Sequence, residues 1–320
     1  MPRSVAHDQT DSRIRALAED VAYYLTQSPR QLPSQYLYDK LGSSLFEAIC
    51  RLPWYPITRA EQWLLKTHRK TIFSRLSFVS TVVELGPGDG GKLVTLMEGQ
   101  SERSATIHLV DVSAAALDQA AAAISSQFAM PIVVHQATYE EGLSQVGPDS
   151  SGGRRLVLFL GSNIGNFDRP GADAFLGSVR GGLRPGDGLL LGTDLVRSET
   201  ELLLAYDDPL GVTAAFNRNL LLRVNRELGA DFDIMRFAHR AIWNAAESRV
   251  EMHLVSLDKQ HVRVPASEIE IAFEVGEPIW TESSYKYRID DVGAMLERTG
   301  FRRIGQWIDN NFALTLAEAV

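Results

Sequence analysis

The sequence predicts an α/β fold built on a doubly wound, mostly parallel sheet, and two observations carry this prediction. Between residues 58 and 196, short apolar segments rich in Val, Leu and Ile alternate with segments of helical periodicity. Strands separated by helices of this length pair in parallel through right-handed crossovers. The first of these strands, in residues 81–85, runs into the glycine-rich turn Gly86-Pro87-Gly88-Asp89-Gly90-Gly91, which is typical of a ligand-binding strand-turn-helix unit.

The individual elements follow from the same pattern. Residues 302–319 form two alternating segments around Asp309-Asn310-Asn311 and predict an antiparallel hairpin at the C-terminal end. A hairpin added to a parallel sheet is the arrangement of the common class I methyltransferase fold, an analogy at the level of fold. The predicted strands and helices of the central part are, in chain order, a helix in 57–76, a strand in 81–85, a helix in 91–98, a strand in 107–112, a helix in 114–128, strands in 131–137 and 154–162, a helix in 170–183 and a strand in 188–196.

Composition excludes several classes of function. The chain has 320 residues, of which 45% are hydrophobic and 22% charged, as in ordinary globular proteins. A net charge of −8 gives no electrostatic basis for binding nucleic acid or an anionic membrane, so we expect neither partner. Cys50 is the only cysteine and the N-terminal segment lacks the apolar core of a signal peptide, so we expect a cytoplasmic protein.

The remaining composition gives two further expectations. The seven histidines are scattered and none has metal-ligand spacing with a carboxylate or thiolate, so we expect no metal site. Nothing in the sequence fixes the oligomeric state, and the chain is compatible with a monomer.

The acids around the glycine turn favour a cationic ligand. G-x-G-x-x-G after a strand is also the dinucleotide fingerprint, but Glu84 and Asp89 would repel a pyrophosphate. S-adenosylmethionine carries a sulfonium and an ammonium group and no phosphate, and it suits an acidic turn better. Asp111, at the end of the next strand, is placed to accept hydrogen bonds from both ribose hydroxyls. A nicotinamide or flavin enzyme and a turn without any ligand stay as alternatives.

Two further segments do not follow the alternation of strands and helices, and they predict a second, α+β domain. Residues 197–235 read as two helices joined by Asp-Asp-Pro, and residues 240–287 alternate as strands. We predict a methyltransferase domain in residues 58–196 and 288–320, and a substrate-binding domain in residues 8–57 and 197–287. We expect the two to close on the ligand across a cleft.

Several long blocks, in order, resemble the histidine Nα-methyltransferase family of ergothioneine biosynthesis. They include YDKLGSSLFEAICRLPWYPITRAE, ELGPGDGGK, FLGSNIGNF, AYDDPLGVTAAFNRNLLLRVNRELGADFD and TESSYKYR, and they cover about residues 30–320. The resemblance implies trimethylation of the α-amino group of L-histidine to hercynine, with three molecules of S-adenosylmethionine.

For the cofactor, the resemblance implies that Lys92 grips the methionine carboxylate, while Glu84 orients the ammonium end or braces the turn. The family has an Asp followed by an aromatic residue at the adenine, where this chain has Thr138 and Tyr139, so the acid is lost. The cofactor residues implied are Glu84, Gly86, Gly88, Lys92, Asp111, Thr138 and Tyr139.

For the substrate, Glu282 and Ser284 lie two apart on a predicted strand and therefore on one face, where they suit the two imidazole nitrogens. Tyr55 and Asn166 are the catalytic candidates, because the proton of the α-ammonium group is expected to reach solvent near them. The residues that match the family's substrate pattern are Tyr38, Tyr55, Asn166, Tyr206, Thr213, Met252, Glu282 and Ser284.

Two rival hypotheses stay open at this point. Related enzymes methylate tryptophan-type amines, but an indole offers one donor and no in-plane acceptor to Glu282 and Ser284. A non-catalytic module that retains the fold is a second alternative, against which Lys92, Asp111 and Asn166 together argue. An aminopropyl-transferring polyamine synthase would need acidic polyamine-binding residues instead of a clamp for an amino-acid carboxylate.

Overall fold

The structure is a computed structural model that describes residues 3–100, 105–147 and 152–320. Its contacts divide the chain into two compact units. The first unit comprises Met1–Tyr55 and Ser198–Ser284, and the second comprises Pro56–Arg197 and Tyr285–Val320. The assignment of substrate binding to one predicted domain and cofactor binding to the other stays a prediction.

The helices and strands are named in chain order. The helices are α1 (Arg3–Leu25), α2 (Lys40–Arg51), α3 (Ile57–Arg75), α4 (Gly91–Met97), α5 (Ala114–Ser125), α6 (Tyr139–Gln145), α7 (Arg169–Gly181), α8 (Glu199–Tyr206), α9 (Val212–Leu228) and α10 (Ile289–Arg298). The strands are β1 (Arg30–Gln31), β2 (Val79–Leu85), β3 (Thr106–Asp111), β4 (Ile132–Gln136), β5 (Arg154–Phe159), β6 (Gly188–Asp194), β7 (Phe237–Asn244), β8 (Arg249–Ser256), β9 (Gln260–Val264), β10 (Ile269–Phe273), β11 (Pro278–Tyr285), β12 (Phe301–Asp309) and β13 (Phe312–Ala319).

The second unit is built on one large mixed sheet. Among the described residues it has seven strands in the order β12-β13-β6-β5-β2-β3-β4. The five strands from β6 to β4 are parallel, and β13 pairs antiparallel with both β6 and β12. The predicted doubly wound sheet with a C-terminal hairpin is therefore confirmed.

Burial explains why the central strands are continuously apolar. Every residue of β6 is buried, and β2 is buried apart from Ser80, because helices cover both faces of a parallel sheet. Parallel register brings the carboxyl ends of β2, β3 and β5 to one edge, where Leu85 pairs with Val110 and Glu84 with Leu158. Ligands of open α/β sheets bind at this edge.

The first unit combines helices with a smaller sheet. In its described part, β1, β11, β8 and β7 form a four-stranded sheet in that order, and β9 pairs with β10. Helix α9 contacts β7, β8 and α2. The two predicted helices around Asp-Asp-Pro are α8 and α9. Asp208 lies before Gly211, the N-cap residue of α9, and accepts from the backbone N–H groups of Leu210, Val212 and Thr213.

Helices α6 and α10 are not among the predicted elements. Helix α6 has a reciprocal cap in which Thr138 accepts from the N–H of Glu141 and the Glu141 carboxylate accepts from the N–H of Thr138. This Thr-x-x-Glu pattern is a local signal for a helix start. Within residues 3–100, 105–147 and 152–320, no helix combines the length and apolar character that crossing a membrane requires.

A cluster of buried charged side chains lies at the carboxyl end of β6. Asp194 is 1% exposed, forms an ion pair with Lys286 Nζ at 2.9 Å and accepts a hydrogen bond from Arg197 Nη1 at 2.6 Å. The side chains of Lys286 and Arg197 are 0% and 3% exposed. Ser162 Oγ lies 2.9 Å from the Asp194 backbone N–H and accepts from it. One carboxylate therefore neutralises cations on two segments of this unit.

We expect Asp194→Asn to lower the free energy of unfolding by about 3–5 kcal/mol, because it leaves buried cations without their counter-charge. The measurement is urea denaturation monitored by circular dichroism. Asp173→Asn is the control, because its ion pair with Arg298 is well exposed, and such pairs contribute about 0–1 kcal/mol. Equal losses in the two variants would contradict the structural role assigned to Asp194.

Candidate functional site

Side chains from other segments pack closely against the glycine turn after β2. Gly86 has φ +74° and its N–H donates to Val110 O at 2.9 Å. A Cβ at this position would lie 3.0 Å from Tyr139 Oη and 3.1 Å from Asn163 Nδ2. Gly88 has φ +56° and is exposed, and a Cβ there would meet no described atom within 4 Å. The turn thus packs closely at Gly86 and is open at Gly88.

Glu84, the penultimate residue of β2, carries a buried carboxyl group without a hydrogen-bonding partner on one oxygen in the described part of the chain. It is 1% exposed, and its Oε2 has no hydrogen-bond partner among the described residues. Burial raises the pKa of Glu84 to about 8, the ammonium of Lys92 opposes this shift, and the carboxylates of Glu61 and Asp89 add to it. A buried acid of this kind favours a cation at its unpartnered oxygen.

Lys92 in the first turn of α4 makes an ion pair with a residue that sequence reasoning missed. Its Nζ lies 2.7 Å from Glu61 Oε2, and the Glu61 side chain is fully buried on α3. Both carboxylate oxygens of Glu61 accept from the N–H of Gly161, at 2.7 and 3.0 Å. Glu61 therefore joins α3, α4 and the loop after β5. Glu61 lies inside a long predicted helix, and no neighbouring residue in the sequence indicates this role.

Asp111 stands at the carboxyl end of β3, as predicted. Its Oδ1 accepts from the N–H of Ser113 at 2.8 Å. Burial raises the pKa of Asp111, and backbone N–H groups of Ser113 and Val112 oppose that shift. The backbone bond fixes the orientation of this carboxylate at the edge of the sheet.

Thr138 and Tyr139 start α6 in different environments. The Thr138 hydroxyl is exposed and caps the helix, a role that Asp and Thr both fill well. The Tyr139 ring makes edge-to-face contacts with Phe159 and Phe175, at centroid distances of 5.4 and 6.0 Å. Burial raises the pKa of Tyr139, and the charge of Asp111 contributes. Its phenol oxygen is directed at Gly86.

The loop after β5 contains two asparagines with different placements. Asn166, a predicted catalytic residue, is exposed at the end of the short 3₁₀ helix Asn163–Asn166. Asn163, which sequence reasoning missed, is half-buried and lies beside Gly86. The G-S-N segment was a visible signal, because polar residues after a buried parallel strand lie at the ligand edge.

In the first unit, aromatic rings connect three of the predicted substrate tyrosines. Tyr38 contacts Phe46 at a centroid distance of 5.5 Å, Phe46 contacts Tyr55 at 6.3 Å, and Tyr55 contacts Tyr206 at 6.3 Å. Phe216 on α9 lies 5.5 Å from Tyr38. Phe46 and Phe216 complete this aromatic cluster and were not predicted, because their helical spacing is that of ordinary core residues.

Tyr206 and Ser284 are brought together directly. Tyr206 Oη lies 2.8 Å from Ser284 Oγ in a buried hydrogen bond between α8 and β11. Glu282 is half-buried on the same strand, and its carbonyl oxygen accepts from Trp280 Nε1 at 2.9 Å. The pair of phenol and hydroxyl at one end of β11, with a carboxylate two residues away, can donate to and accept from a polar ring.

Thr213 and Met252 are buried, and the hydrogen bonds described for them are formed by their main-chain atoms. Thr213 is 2% exposed and its N–H donates to Asp208 Oδ2 at 2.7 Å. Met252 is 1% exposed in the middle of β8, and its carbonyl oxygen accepts from Thr281 Oγ1 at 2.9 Å. Both residues thus belong to the packed interior of the first unit.

The fold and the turn define a class of protein. The strand order with its C-terminal antiparallel hairpin, the glycine turn after β2 and the acid at the end of β3 are those of a class I, S-adenosylmethionine-dependent methyltransferase. Residues 17–319 match the protein family described as "Histidine-specific methyltransferase, SAM-dependent". The chain belongs to this family.

Relatives with curated names agree with the family match. A histidine N-alpha-methyltransferase of Mycolicibacterium smegmatis is 43% identical over 311 residues, 96% of this chain and 96% of that protein. One of Mycobacterium tuberculosis is 44% identical over 317 residues, 97% of each. Ergothioneine biosynthesis protein 1 of Neurospora crassa is 27% identical over 300 residues, 88% of this chain and 32% of that longer protein.

The residues at the glycine turn fit the family's cofactor, S-adenosylmethionine. Gly88 leaves an open position at the turn, because a Cβ there would meet no described atom within 4 Å. Glu84 offers an unpartnered, buried carboxyl oxygen to a cation. Asp111 offers a backbone-oriented carboxylate for ribose hydroxyls.

We expect Gly88→Ala to weaken S-adenosylmethionine binding by about tenfold or more, because the added methyl group occupies space that no protein atom fills. Isothermal titration calorimetry measures the affinity. Gly99→Ala is the matched control, because Gly99 has φ +76° and an equally open Cβ position but lies after α4. If the two variants bind alike, Gly88 does not contact the cofactor.

A pH-dependent contribution to stability is expected from Glu84. Its pKa rises from 4.5 to about 8 on folding, so the stabilisation is complete below pH 4.5 and is lost as the pH rises through about 8. Relative to Glu84→Gln, the wild type should lose roughly 1.4 kcal/mol per pH unit within this window. Urea denaturation between about pH 5 and pH 9 tests this. A constant difference between the two proteins would refute it.

Proposed function

We propose that this protein transfers three methyl groups from S-adenosylmethionine to the α-amino nitrogen of L-histidine and forms hercynine, a step of ergothioneine biosynthesis. The family match and the named relatives support the histidine specificity. The structural observation that carries the proposal is the buried hydrogen bond between Tyr206 and Ser284 on the strand that also bears Glu282.

Recognition of the substrate rests on residues of the first unit. Glu282 and Ser284 offer an acceptor and a hydroxyl that acts as donor or acceptor, which matches the two nitrogens of imidazole. The phenol of Tyr38 donates to the substrate carboxylate, and the phenol of Tyr206 does so when the substrate replaces its hydrogen bond to Ser284. Thr213 and Met252 pack beneath these groups, and Asn166 of the second unit binds the amino and carboxylate groups through its amide.

The cofactor is held by residues of the second unit. Asp111 binds the ribose, Lys92 the methionine carboxylate, and Tyr139 and Thr138 the adenine. Glu84 lies where a positive charge is favoured. When bound, S-adenosylmethionine supplies an electrophilic methyl group on a sulfonium.

Transfer requires a neutral amine with a lone pair directed at that methyl group. Positioning of donor and acceptor supplies most of the acceleration. Neither Tyr55 nor Asn166 is a strong base, so these residues orient the amine, and its proton passes to solvent after desolvation lowers the pKa of the ammonium group.

Three successive transfers require contacts that do not depend on the amine hydrogens. Apart from the contacts of Tyr55 and Asn166 with the amine, the proposed contacts hold the imidazole and the carboxylate, which do not change between cycles. The aromatic cluster of Tyr38, Phe46, Tyr55, Tyr206 and Phe216 offers ring faces to a methylated ammonium product, an interaction of about 0.5–2 kcal/mol.

A tryptophan-type acceptor is the principal alternative. Hydrogen bonding to the side-chain ring of the substrate distinguishes it from histidine. An indole would leave Glu282 or Ser284 without its partner, and sites built for hydrogen-bonded groups reject such analogues strongly. The decisive experiment incubates the enzyme with S-adenosylmethionine and each of the twenty amino acids, and detects products by mass spectrometry. Trimethylated histidine as the dominant product supports the proposal, and equal methylation of tryptophan contradicts it.

We expect Glu282→Ala to raise the KM for histidine by about tenfold or more, because a charge-assisted hydrogen bond to the ring contributes about 1.5–3 kcal/mol. The affinity for S-adenosylmethionine should stay unchanged in calorimetry. Glu270→Ala is the control, because Glu270 is an exposed strand acid of the same unit. Unchanged histidine turnover in Glu282→Ala would exclude Glu282 from substrate recognition.

A further inference from the structure

Buried polar side chains form a hydrogen-bonded network with the main chain of Tyr206. None of these side chains makes one of the proposed substrate contacts. His239 on β7 has its Nε2 2.8 Å from the carbonyl oxygen of Tyr206. Its other ring nitrogen, Nδ1, lies 2.9 Å from Asn217 Nδ2 on α9. The same Asn217 nitrogen donates to the carbonyl oxygen of His253 on β8 at 3.2 Å. The side chains of Asn217 and His239 are 0% and 1% exposed.

The partners determine which ring nitrogen of His239 carries hydrogen. A carbonyl oxygen can only accept, so Nε2 bears the hydrogen toward Tyr206. The amide nitrogen of Asn217 can only donate, so Nδ1 presents its lone pair. Both hydrogen bonds of the His239 ring therefore form only with neutral imidazole in its Nε2–H form.

The hydrogen bond acts on the residue that carries a proposed substrate contact. Tyr206 is the last residue of α8, and carbonyl groups in the last turn of a helix have no partner within it. His239 satisfies this carbonyl, while the phenol of the same residue is bonded to Ser284. Fixing the main chain at Tyr206 thus fixes the origin of the side chain that meets β11.

We propose that His239 and Asn217 are positioning residues for substrate recognition: neutral His239, oriented by Asn217, holds Tyr206 in its binding position. The inference rests on the proposed function, in which Tyr206 binds the amino-acid substrate. Neither residue contacts the substrate in this scheme.

The charged groups around His239 determine its response to pH. Burial lowers the pKa of His239 below 6.5; the carbonyl of Tyr206 and the carboxylates of Asp207 and Asp208 oppose this shift, and Arg218 adds to it. Asp207 Oδ1 is 3.9 Å from Nε2. Protonation would direct Nδ1–H at the amide N–H group of Asn217. A flipped amide would relieve this clash but lose the donor to His253.

Steady-state kinetics of variants separates positioning from general structural damage. His239→Ala and Asn217→Ala should raise the KM for the amino acid about five- to tenfold, because a buried hydrogen bond is lost, and leave the KM for S-adenosylmethionine within about twofold. His239→Gln should restore most of the loss, since one amide offers both a donor and an acceptor. Asn225→Ala is the matched control: Asn225 also lies on α9 and braces Phe232 through two hydrogen bonds.

A pH profile tests the requirement for neutral imidazole. The ratio of kcat/KM between wild type and His239→Gln, measured from about pH 5 to pH 8, cancels the titration of the amino acid itself. It should be constant at the upper end and fall in the acidic range, below the ordinary histidine value of about 6.5. A flat ratio would overturn the requirement.

The outcomes distinguish this inference from the proposed function. The comparison uses the amino acid that the wild type methylates, so absence of histidine methylation refutes the proposed function without affecting the test of His239. Positioning is refuted if His239→Ala and Asn225→Ala have equal effects, if both KM values rise together, or if His239→Gln restores nothing.

Discussion

Buried charge at the carboxyl edge of the large sheet is the constraint on which the second unit depends. A charged group removed from water needs a partner or a change of protonation state. Asp194 binds both Lys286 and Arg197, and Glu61 binds Lys92 together with the backbone of Gly161. These two centres connect α3, α4, the loop after β5, the end of β6 and the segment after β11.

Glu84 is the acid that this arrangement leaves uncompensated. Lys92, its nearest compensating cation, lies 2.7 Å from Glu61, and two further carboxylates raise the pKa of Glu84. Because the group is fully buried beside the glycine turn, its proton or a cationic ligand has to supply the missing charge. On the proposal that S-adenosylmethionine binds here, its positive charge would stabilise the ionised form of Glu84, whereas a phosphate group would not.

Around Tyr206, the first unit uses neutral hydrogen bonds among buried groups instead of ion pairs. Tyr206 and Ser284 share a hydrogen bond, and His239 and Asn217 form a chain of donors and acceptors with defined directions. Such chains fix the direction of each hydrogen bond without adding a net charge to the site. This suits a site that is to bind a substrate whose amino group gains methyl groups and changes its own hydrogen-bonding capacity in each cycle.

The sequence predicts those parts of the molecule whose signals are local. Alternating strands and helices, the glycine turn, the acid at the end of β3 and the C-terminal hairpin are all visible as short patterns, and α6 has a capping pattern that was available. Glu61 and His239 could not be found in this way, because their roles depend on contacts between distant segments. Glu61 and Gly161, for example, are 100 residues apart in the chain.

Lys92 shows how such a distant contact changes an interpretation. A cation in the first turn of a helix opposes the helix dipole, and in the sequence this favours an anionic ligand as its partner. The structure provides that anion within the protein, since Glu61 is bound at 2.7 Å. An ammonium group has three donor hydrogens, so Lys92 can hold Glu61 and also bind a ligand carboxylate. Its location in the first turn is therefore explained by Glu61 alone, and the case for a ligand at Lys92 rests on the neighbouring groups, Glu84 and the open glycine turn.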